Sequence, residues 1–336
     1  MNIIVTGGAG FIGSTFVRRA LRQGHKVTNI DKLTYAGSLD NLRDCVNPTP
    51  PPQPNYRFFQ EDVCDRPAIL SILSEAQPEV IVHMAAETHV DRSIECADQF
   101  VRTNVLGTQA MLDAALNCSK KSRKPLFLYI STDEVFGSIP GTGRFSEESP
   151  YRPNSPYAAS KAASDFLVRS YRNTYGLRTI TVNASNNYGP YQFPEKLIPL
   201  SISNALKKLP IPIYGDGMQV RDWLYVEDHV DALFSLIDKG REGESYCIGA
   251  DCERNNLDVI RQICGLLSQK LDDEFDYESL ITHVKDRLGH DLRYATDSSK
   301  LRTHTEWTPT TSFEEGLSKT VDWYIKKSSN NCSTKS

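Results

Sequence analysis

Residues 129–161 bring together a hydroxyl, two adjacent carboxylates, a phenol and an ammonium. Tyr129 to Gly137 reads Tyr-Ile-Ser-Thr-Asp-Glu-Val-Phe-Gly, and Ser155 to Lys161 reads Ser-Pro-Tyr-Ala-Ala-Ser-Lys. Tyr157 and Lys161 are four apart, so a helix puts them on one face. An ammonium beside a phenol favours the phenolate and lowers its pKa, and such a tyrosine can act as a general base. Asp133 and Glu134 set two adjacent carboxylates beside this pair, and their spacing alone assigns them no role. Without Tyr157 and Lys161 they would read as a helix cap and a surface acid.

These groups need a strand before them and a helix after them. Leu126 to Ile130 is a short apolar run suited to a buried strand, so the chemistry begins where that strand ends, where open α/β sheets bind ligands. Asn2 to Thr6 is another strand, and it runs into Gly7-Gly8-Ala9-Gly10-Phe11-Ile12-Gly13. Two glycine frames overlap there, one through Gly8, Gly10 and Gly13 and one through Gly7, Gly10 and Gly13. Such a turn lets backbone approach a pyrophosphate at a helix N-terminus. Lys26 to Ile30 is the second strand, and Asp31 at its end can accept from a ribose 2′-hydroxyl, favouring NAD over NADP. Lys32 beside it is a cation that could tolerate a 2′-phosphate.

Tyr56 to Gln60 is expected as the next strand. Asp62-Val63 after it can border an adenine pocket, or Asp62 can cap the helix starting near Asp65. Val80 to His83 is a fourth strand, leading into Met84-Ala85-Ala86-Glu87-Thr88-His89. His83 reads as core and His89 as either surface or site. Asp98 to Asn117 is expected as one long helix, with Thr103 and Asn104 facing one way. Arg178 to Val182 is a strand ending in the polar cluster Asn183 to Pro190. Strand–helix alternation to this point predicts a doubly wound parallel sheet. Beyond Pro190, Phe193 to Pro199 leads into a helix and Pro212 to Gly217 reads as a turn-rich segment. Arg221 suits a diphosphate by its forked donors, or an ion pair with Asp222 or Glu227. Residues 313–326 form an amphipathic helix, and 328–336 are expected as a disordered tail. The expected division is 1–188 (with 229–250 returning to it) as cofactor domain, and 189–228 with 251–327 as a smaller α/β domain.

The chain has 336 residues and a net charge of −4, so neither nucleic acid nor an anionic membrane is expected as a partner. It opens on a strand rather than a signal peptide, and no run of eighteen apolar residues suggests a span, so a cytoplasmic location is expected. Cys45, Cys64, Cys96, Cys118, Cys247, Cys252, Cys264 and Cys332 form no metal-ligand spacing, so they read as reduced thiols and no metal site is expected. Residues 47–54 are a proline-rich connector.

Taken together, Thr6-Gly7-x-x-Gly10-x-x-Gly13 and Tyr157-x-x-x-Lys161 resemble the extended short-chain dehydrogenase/reductase superfamily, with its Rossmann sheet. Within it the chain resembles the dTDP-glucose 4,6-dehydratases through Ser131 to Val135, Asn186 to Lys196 and Arg221 to His229. The resemblance runs from Met1 to about Lys327. It implies a hydro-lyase that oxidises a nucleotide-linked hexose at C4, eliminates water across C5 and C6, and returns the hydride from NADH to C6. Tyr157 with Lys161 would handle the 4-hydroxyl, Glu134 the C5 proton, Asp133 the leaving 6-hydroxyl, and Thr132 would bond the 4-hydroxyl. Asp133 must then be protonated, which burial and a neighbouring carboxylate favour.

The resemblance further implies that NAD meets Gly7, Gly10, Phe11, Ile12, Gly13, Asp31, Lys32, Leu33, Thr34, Asp62, Val63, Met84, Ala85, Ala86, Thr88, Thr103, Tyr157, Lys161 and Asn187. The nucleotide-sugar would meet Thr88, Thr132, Asn186, Lys196, Leu197, Pro212, Tyr214, Arg221, Asn256, Asp286, Arg287 and His290. Leu288 stands where a proline is usual in this family, Phe136 where a tyrosine is frequent and Thr88 where a serine is. A homodimer is implied, built by the helices near 98–117 and 157–175, with Phe166, Leu167 and Tyr171 able to serve it or to pack on the sheet. Alternatives are a UDP-glucose 4,6-dehydratase, a 4-epimerase, against which the paired acids argue, and a non-catalytic NAD-sensing protein on the same fold.

Overall fold

The computed structural model describes residues 1–46, 54–118, 124–139 and 141–333, so the proline-rich connector lies, but for Pro54, outside the described residues. Among the described residues twelve strands follow in order: β1 (Asn2–Thr6), β2 (Lys26–Ile30), β3 (Tyr56–Phe59), β4 (Val80–His83), β5 (Leu126–Thr132), β6 (Arg178–Ala184), β7 (Asn186–Tyr188), β8 (Ile211–Tyr214), β9 (Val220–Tyr225), β10 (Ser245–Ile248), β11 (Glu253–Asn255) and β12 (Ile281–Val284). Seven form one sheet in the order β10-β6-β5-β4-β1-β2-β3. Every pairing in it is parallel. The fold is a Rossmann-type doubly wound sheet. Its central strands β4 and β5 are buried along their whole length and β1 from Ile3 on, as a sheet covered on both faces requires.

The chain runs outward from β1 through β2 to β3, then returns to β4 on the other side of β1. This reversal opens a crevice at the carboxyl ends of β1 and β4. Thr6, His83 and Tyr129 lie in one row across the sheet. β5 continues three residues past that row and pairs with β6 alone, Thr132 opposite Ala184. The strand end thereby carries Thr132 and the two acids out as a wall of the crevice. The helix Pro156–Tyr175, capped by Ser155 and opened by Pro156, brings Tyr157 and Lys161 to the same wall.

One core cluster centred on Val5, Phe16, Val82, Leu128 and Leu233 fills one face of the sheet, and another on Ile4, Ile81, Met111, Phe127 and Tyr129 fills the other. A third core gathers Tyr188, Ile202, Trp223, Ile260 and Leu317 in a second region with the small sheets β11-β9-β7 and β12-β8. Tyr188 and β7 pack there although they fall inside the stretch 1–188 expected for the cofactor domain. β10 lies in the large sheet beside β6, and the helix Val226–Lys239 stacks Phe234 on Phe16 at 4.6 Å.

Three local expectations change. Residues 98–117 are helical throughout, but Val101–Leu106 is a π-helical turn. There the Asn104 carbonyl accepts from the hydroxyls of Thr108 and Ser164. The 212–217 segment begins as strand β8, because Ile211 and Ile213 alternate inward with period two. The last helix extends from Phe313 to Ser333 rather than ending near 326. Of the three residues considered for an interface, Tyr171 is buried with its hydroxyl on Asp113, Leu167 packs on the core, and Phe166 is exposed.

Candidate active site

A cavity of about 670 Å3 runs from the glycine turn to the second region. It is within the usual size for a cofactor or ligand pocket. At one end lie Gly7, Gly10, Phe11, Ile12 and Gly13. Gly10 precedes the helix Phe11–Arg22 without a side-chain cap, which leaves backbone N–H groups free to meet an anion. A Cβ on Gly13 would sit 2.1 Å from the Gly7 carbonyl oxygen, so the turn closes only with glycine there. Asp31 closes this end, its carboxylate accepting from Ala9 N–H at 2.9 Å and Leu33 N–H at 2.8 Å. Lys32 reaches 2.7 Å to Asp62, so its charge is committed to a carboxylate rather than waiting for a 2′-phosphate. Asp62 does not cap the following helix; Asp65 does, accepting from Ala68 N–H at 3.0 Å. These residues fit a dinucleotide lacking a 2′-phosphate.

The cavity lining also includes Thr34, Val63, Met84, Ala85, Ala86, Thr88, Thr103, Asn187 and, further on, Asn186, Lys196, Leu197, Pro212, Tyr214, Arg221, Asn256, Arg287 and His290. Leu33 and Asp286 fall outside it. Leu33 takes a left-handed backbone (φ 56°) to give its N–H to Asp31, and Asp286 stands behind His290, accepting at 2.7 Å from its Nδ1.

The middle of the cavity holds Thr132, Asp133, Glu134, Tyr157 and Lys161. Thr132 caps a short 3-10 turn over Asp133–Phe136, its hydroxyl accepting from Glu134 N–H at 3.3 Å. The two acids differ in their surroundings. Asp133 is buried, its Oδ2 makes no hydrogen bond, and burial, Glu134 and Asp222 together hold its carboxyl well above the usual range. Glu134 is raised by burial too, but Lys196, Arg221 and Arg287 pull it back towards the carboxylate. The protonated form is thus favoured more strongly at Asp133 than at Glu134.

Tyr157 and Lys161 depart from expectation. Lys161 Nζ donates to the Ile130 carbonyl at 2.7 Å and lies 4.3 Å from the centroid of the Tyr129 ring. Burial, then Glu134, push the Tyr157 phenol up, with the Thr132 hydroxyl opposing, so in this structure the ammonium does not lower it. Burial lowers Lys161 to about 8.

Arg221 forms no ion pair with Asp222 or Glu227. It donates to the carbonyls of Val220 (2.8 Å) and Asp291 (2.9 Å) and lies over Tyr294, which keeps its positive charge available beside the cavity. Asp222 is turned away to accept from the amides of Cys252 and Ala250. Arg287 bonds Asp91 at 2.5 Å and stacks on Tyr214. Lys196 donates to the Thr88 carbonyl at 2.7 Å. His83 is core, between Thr6 and Thr108, whereas His89 lines the cavity and faces Glu195 at 3.8 Å. Sequence reasoning did not single out Glu87, Asp91, Glu195 and Tyr294 as lining residues. Glu195 lies within the Asn186–Lys196 stretch already noted, which was its only signal.

The sequence profile of the GDP-mannose 4,6 dehydratase family matches residues 4–320. The dTDP-glucose 4,6-dehydratase of Neisseria meningitidis serogroup B is 50% identical, covering 96% of this chain and 93% of its own. That of Escherichia coli is 48% identical, covering 97% and 94%. A dTDP-glucose 4,6-dehydratase of Bacillus anthracis, solved in complex with NAD, superposes with a TM-score of 0.86 at 43% identity over 98% of both chains. The UDP-glucose 4-epimerase of Thermotoga maritima, solved with UDP-glucose, reaches 0.87 at 27% identity over 97% and 99%. Fold likeness therefore spans dehydratases and epimerases, while the high-identity relatives named here are dehydratases. Both the paired acids in the cavity and these matches place the chain in the nucleotide-sugar 4,6-dehydratase family, among the dTDP-glucose 4,6-dehydratases.

Proposed function

We infer that this protein is an NAD-dependent hydro-lyase that converts dTDP-glucose to dTDP-4-keto-6-deoxyglucose and water. The observation that carries the reading is the pair Asp133 and Glu134 in one cavity with Tyr157 and Lys161, the two acids set in opposite electrostatic surroundings.

Gly7, Gly10, Phe11, Ile12 and Gly13 would receive the pyrophosphate of NAD, Asp31 the adenosine ribose, and Asp62 with Val63 would flank the adenine. NAD, when bound, supplies a hydride acceptor for C4, a hydride donor for C6 and a cationic ring that favours the phenolate. Tyr157 takes the proton of the sugar 4-hydroxyl, which Thr132 orients. The C4 ketone acidifies the C5 hydrogen, and Glu134, whose ionised form three nearby cations favour, removes it. Asp133 delivers its proton to the departing 6-hydroxyl, and the proton held by Glu134 would return to C5 as C6 is reduced. Arg221, Lys196, Arg287 and His290 gather round the nucleotide diphosphate, and none needs to move a proton. An epimerase needs the redox pair alone, so Asp133 and Glu134 would have no task in it.

Exposed Val101, Leu106 and Phe166, on the helical stretch 98–117 and the helix Pro156–Tyr175, support a homodimer through these helices. Seven unpaired cysteines among the described residues support a reducing, cytoplasmic setting. No helix among the described residues is long and apolar enough to cross a membrane.

Purified protein incubated separately with dTDP-glucose and UDP-glucose, without added NAD, tests the function. Loss of one water from dTDP-glucose, read by mass spectrometry, is expected. Loss from UDP-glucose alone would move the substrate, and an isomer of unchanged mass would replace dehydration by epimerisation.

A further inference from the structure

Asp165 lies one helical turn beyond Lys161, outside the cavity lining, and is 5% exposed. Its Oδ2 accepts from three donors, two on strands and one on a loop: the Ser131 hydroxyl on β5 at 2.9 Å, the Asn183 amide on β6 at 3.3 Å and the Tyr151 hydroxyl at 2.8 Å. Its Oδ1 is buried without a hydrogen bond. Ser131 and Asn183 are register partners across β5 and β6. The Asn183 amide is shared: it also donates to the Thr132 carbonyl at 3.2 Å. A side chain on the Tyr157 helix thus reaches the strand end from which Thr132, Asp133 and Glu134 project. A carboxylate in a protein interior is costly unless paired. Here its partners are neutral donors, with Lys161 as the neighbouring cation.

We propose that Asp165 is a positioning residue for the dehydration, fixing the acid–base pair at the end of β5 relative to the redox pair on its own helix and facing Lys161 with its negative charge. The proposal rests on the dehydratase reading above. Displacements of about 1 Å at reacting groups can cost on the order of 100-fold in rate, so a tie between the two pairs has direct kinetic weight.

The test uses the NAD-loaded enzyme with dTDP-glucose. Asp165→Asn keeps the shape and removes the charge. Its kcat should fall about 10- to 100-fold, with KM changing less than about threefold and the melting temperature nearly unchanged. A second readout isolates the electrostatic arm. In an Asp133→Asn, Glu134→Gln background, C4 oxidation stands alone as the absorbance of NADH. Adding Asp165→Asn there should move its alkaline limb to lower pH, because the anion that supports the Lys161 charge is gone. The other titratable groups facing Lys161 and Asp165 are His83, Tyr129 and Tyr151. Burial keeps His83 neutral and all three remain uncharged across this range.

Asn183→Ala leaves Asp165 charged but cuts its link to the Thr132 carbonyl. It should lower kcat about tenfold with the limb in place, and it carries the test if Asp165→Asn does not fold. Wild-type kcat in either variant, or a loss in Asp165→Asn with no movement of the limb, overturns the positioning role while wild-type enzyme still dehydrates dTDP-glucose. Wild-type enzyme that leaves dTDP-glucose unchanged overturns the functional reading and this role with it.

Discussion

Replacing Gly13 by alanine should cost the protein its bound NAD more than its fold. The new methyl would stand 2.1 Å from the Gly7 carbonyl oxygen and 2.8 Å from both the Gly7 carbonyl carbon and the Gly8 Cα. All three are backbone atoms, so no rotamer change relieves the clash and the turn must open. Overpacking of this kind costs about 1–3 kcal/mol, against which alanine in a helix gains about 1 kcal/mol over glycine. The net loss is therefore about 0–2 kcal/mol, a fall of a few degrees in melting temperature. Binding suffers more. Each backbone N–H withdrawn from a charged phosphate loses about 1.5–3 kcal/mol, or roughly 10- to 150-fold in affinity. The assay is NAD released per chain on denaturation, beside a thermal melt. Gly265→Ala is the control: nothing lies within 4 Å of its added Cβ, and the helix Asn256–Leu271 should gain about 0.5–1 kcal/mol with NAD retained. A Gly13→Ala protein holding as much NAD as wild type, with the same melting temperature, would refute the argument that this turn needs glycine to receive the cofactor.

Tyr157→Phe should abolish C4 oxidation with substrate affinity largely kept; equilibrium binding of dTDP-glucose beside turnover checks this. Asp133→Asn with Glu134→Gln should leave C4 oxidation possible but block loss of water, so that NADH builds up on the enzyme and is seen by its absorbance. Elimination needs Asp133 protonated, and its folded pKa is raised, so the rate should fall as pH rises through that raised value. Asp222→Asn removes a negative neighbour, lowers the Asp133 pKa and should shift that limb to lower pH in a rate–pH profile.

Residues whose role depends on chain-local spacing could be read from the sequence. The glycine turn, Asp31 at the end of β2, the paired acids past β5 and the Tyr157–Lys161 pair all follow from neighbours in the chain, and the structure brings them to one cavity. Tertiary encounters were not legible. Asp91 meets Arg287 across 196 positions, Tyr35 meets Glu195 across 160, and no spacing rule connects them. The i,i+4 spacing places Lys161 on the right face but says nothing of the burial and of Glu134, which raise the Tyr157 phenol, or of the Ile130 carbonyl that holds the ammonium. Within the π turn at Val101–Leu106 the Asn104 carbonyl accepts from the hydroxyls of Thr108 and Ser164, and Ser164 lies on another helix that local spacing does not reveal. Strand β8 was obscured by Pro212, which a two-stranded edge tolerates. Asp286 was placed one layer too far forward, since it orients His290 instead of lining the cavity.

The most direct measurement is the fate of the C4 hydrogen. Purified protein, with no added NAD, is given dTDP-glucose deuterated at C4, and the product is read by mass spectrometry and NMR. The account predicts loss of one water with the deuterium carried to C6. A product that loses water but not by carrying deuterium to C6, or that keeps its mass and differs only in configuration at C4, would contradict it.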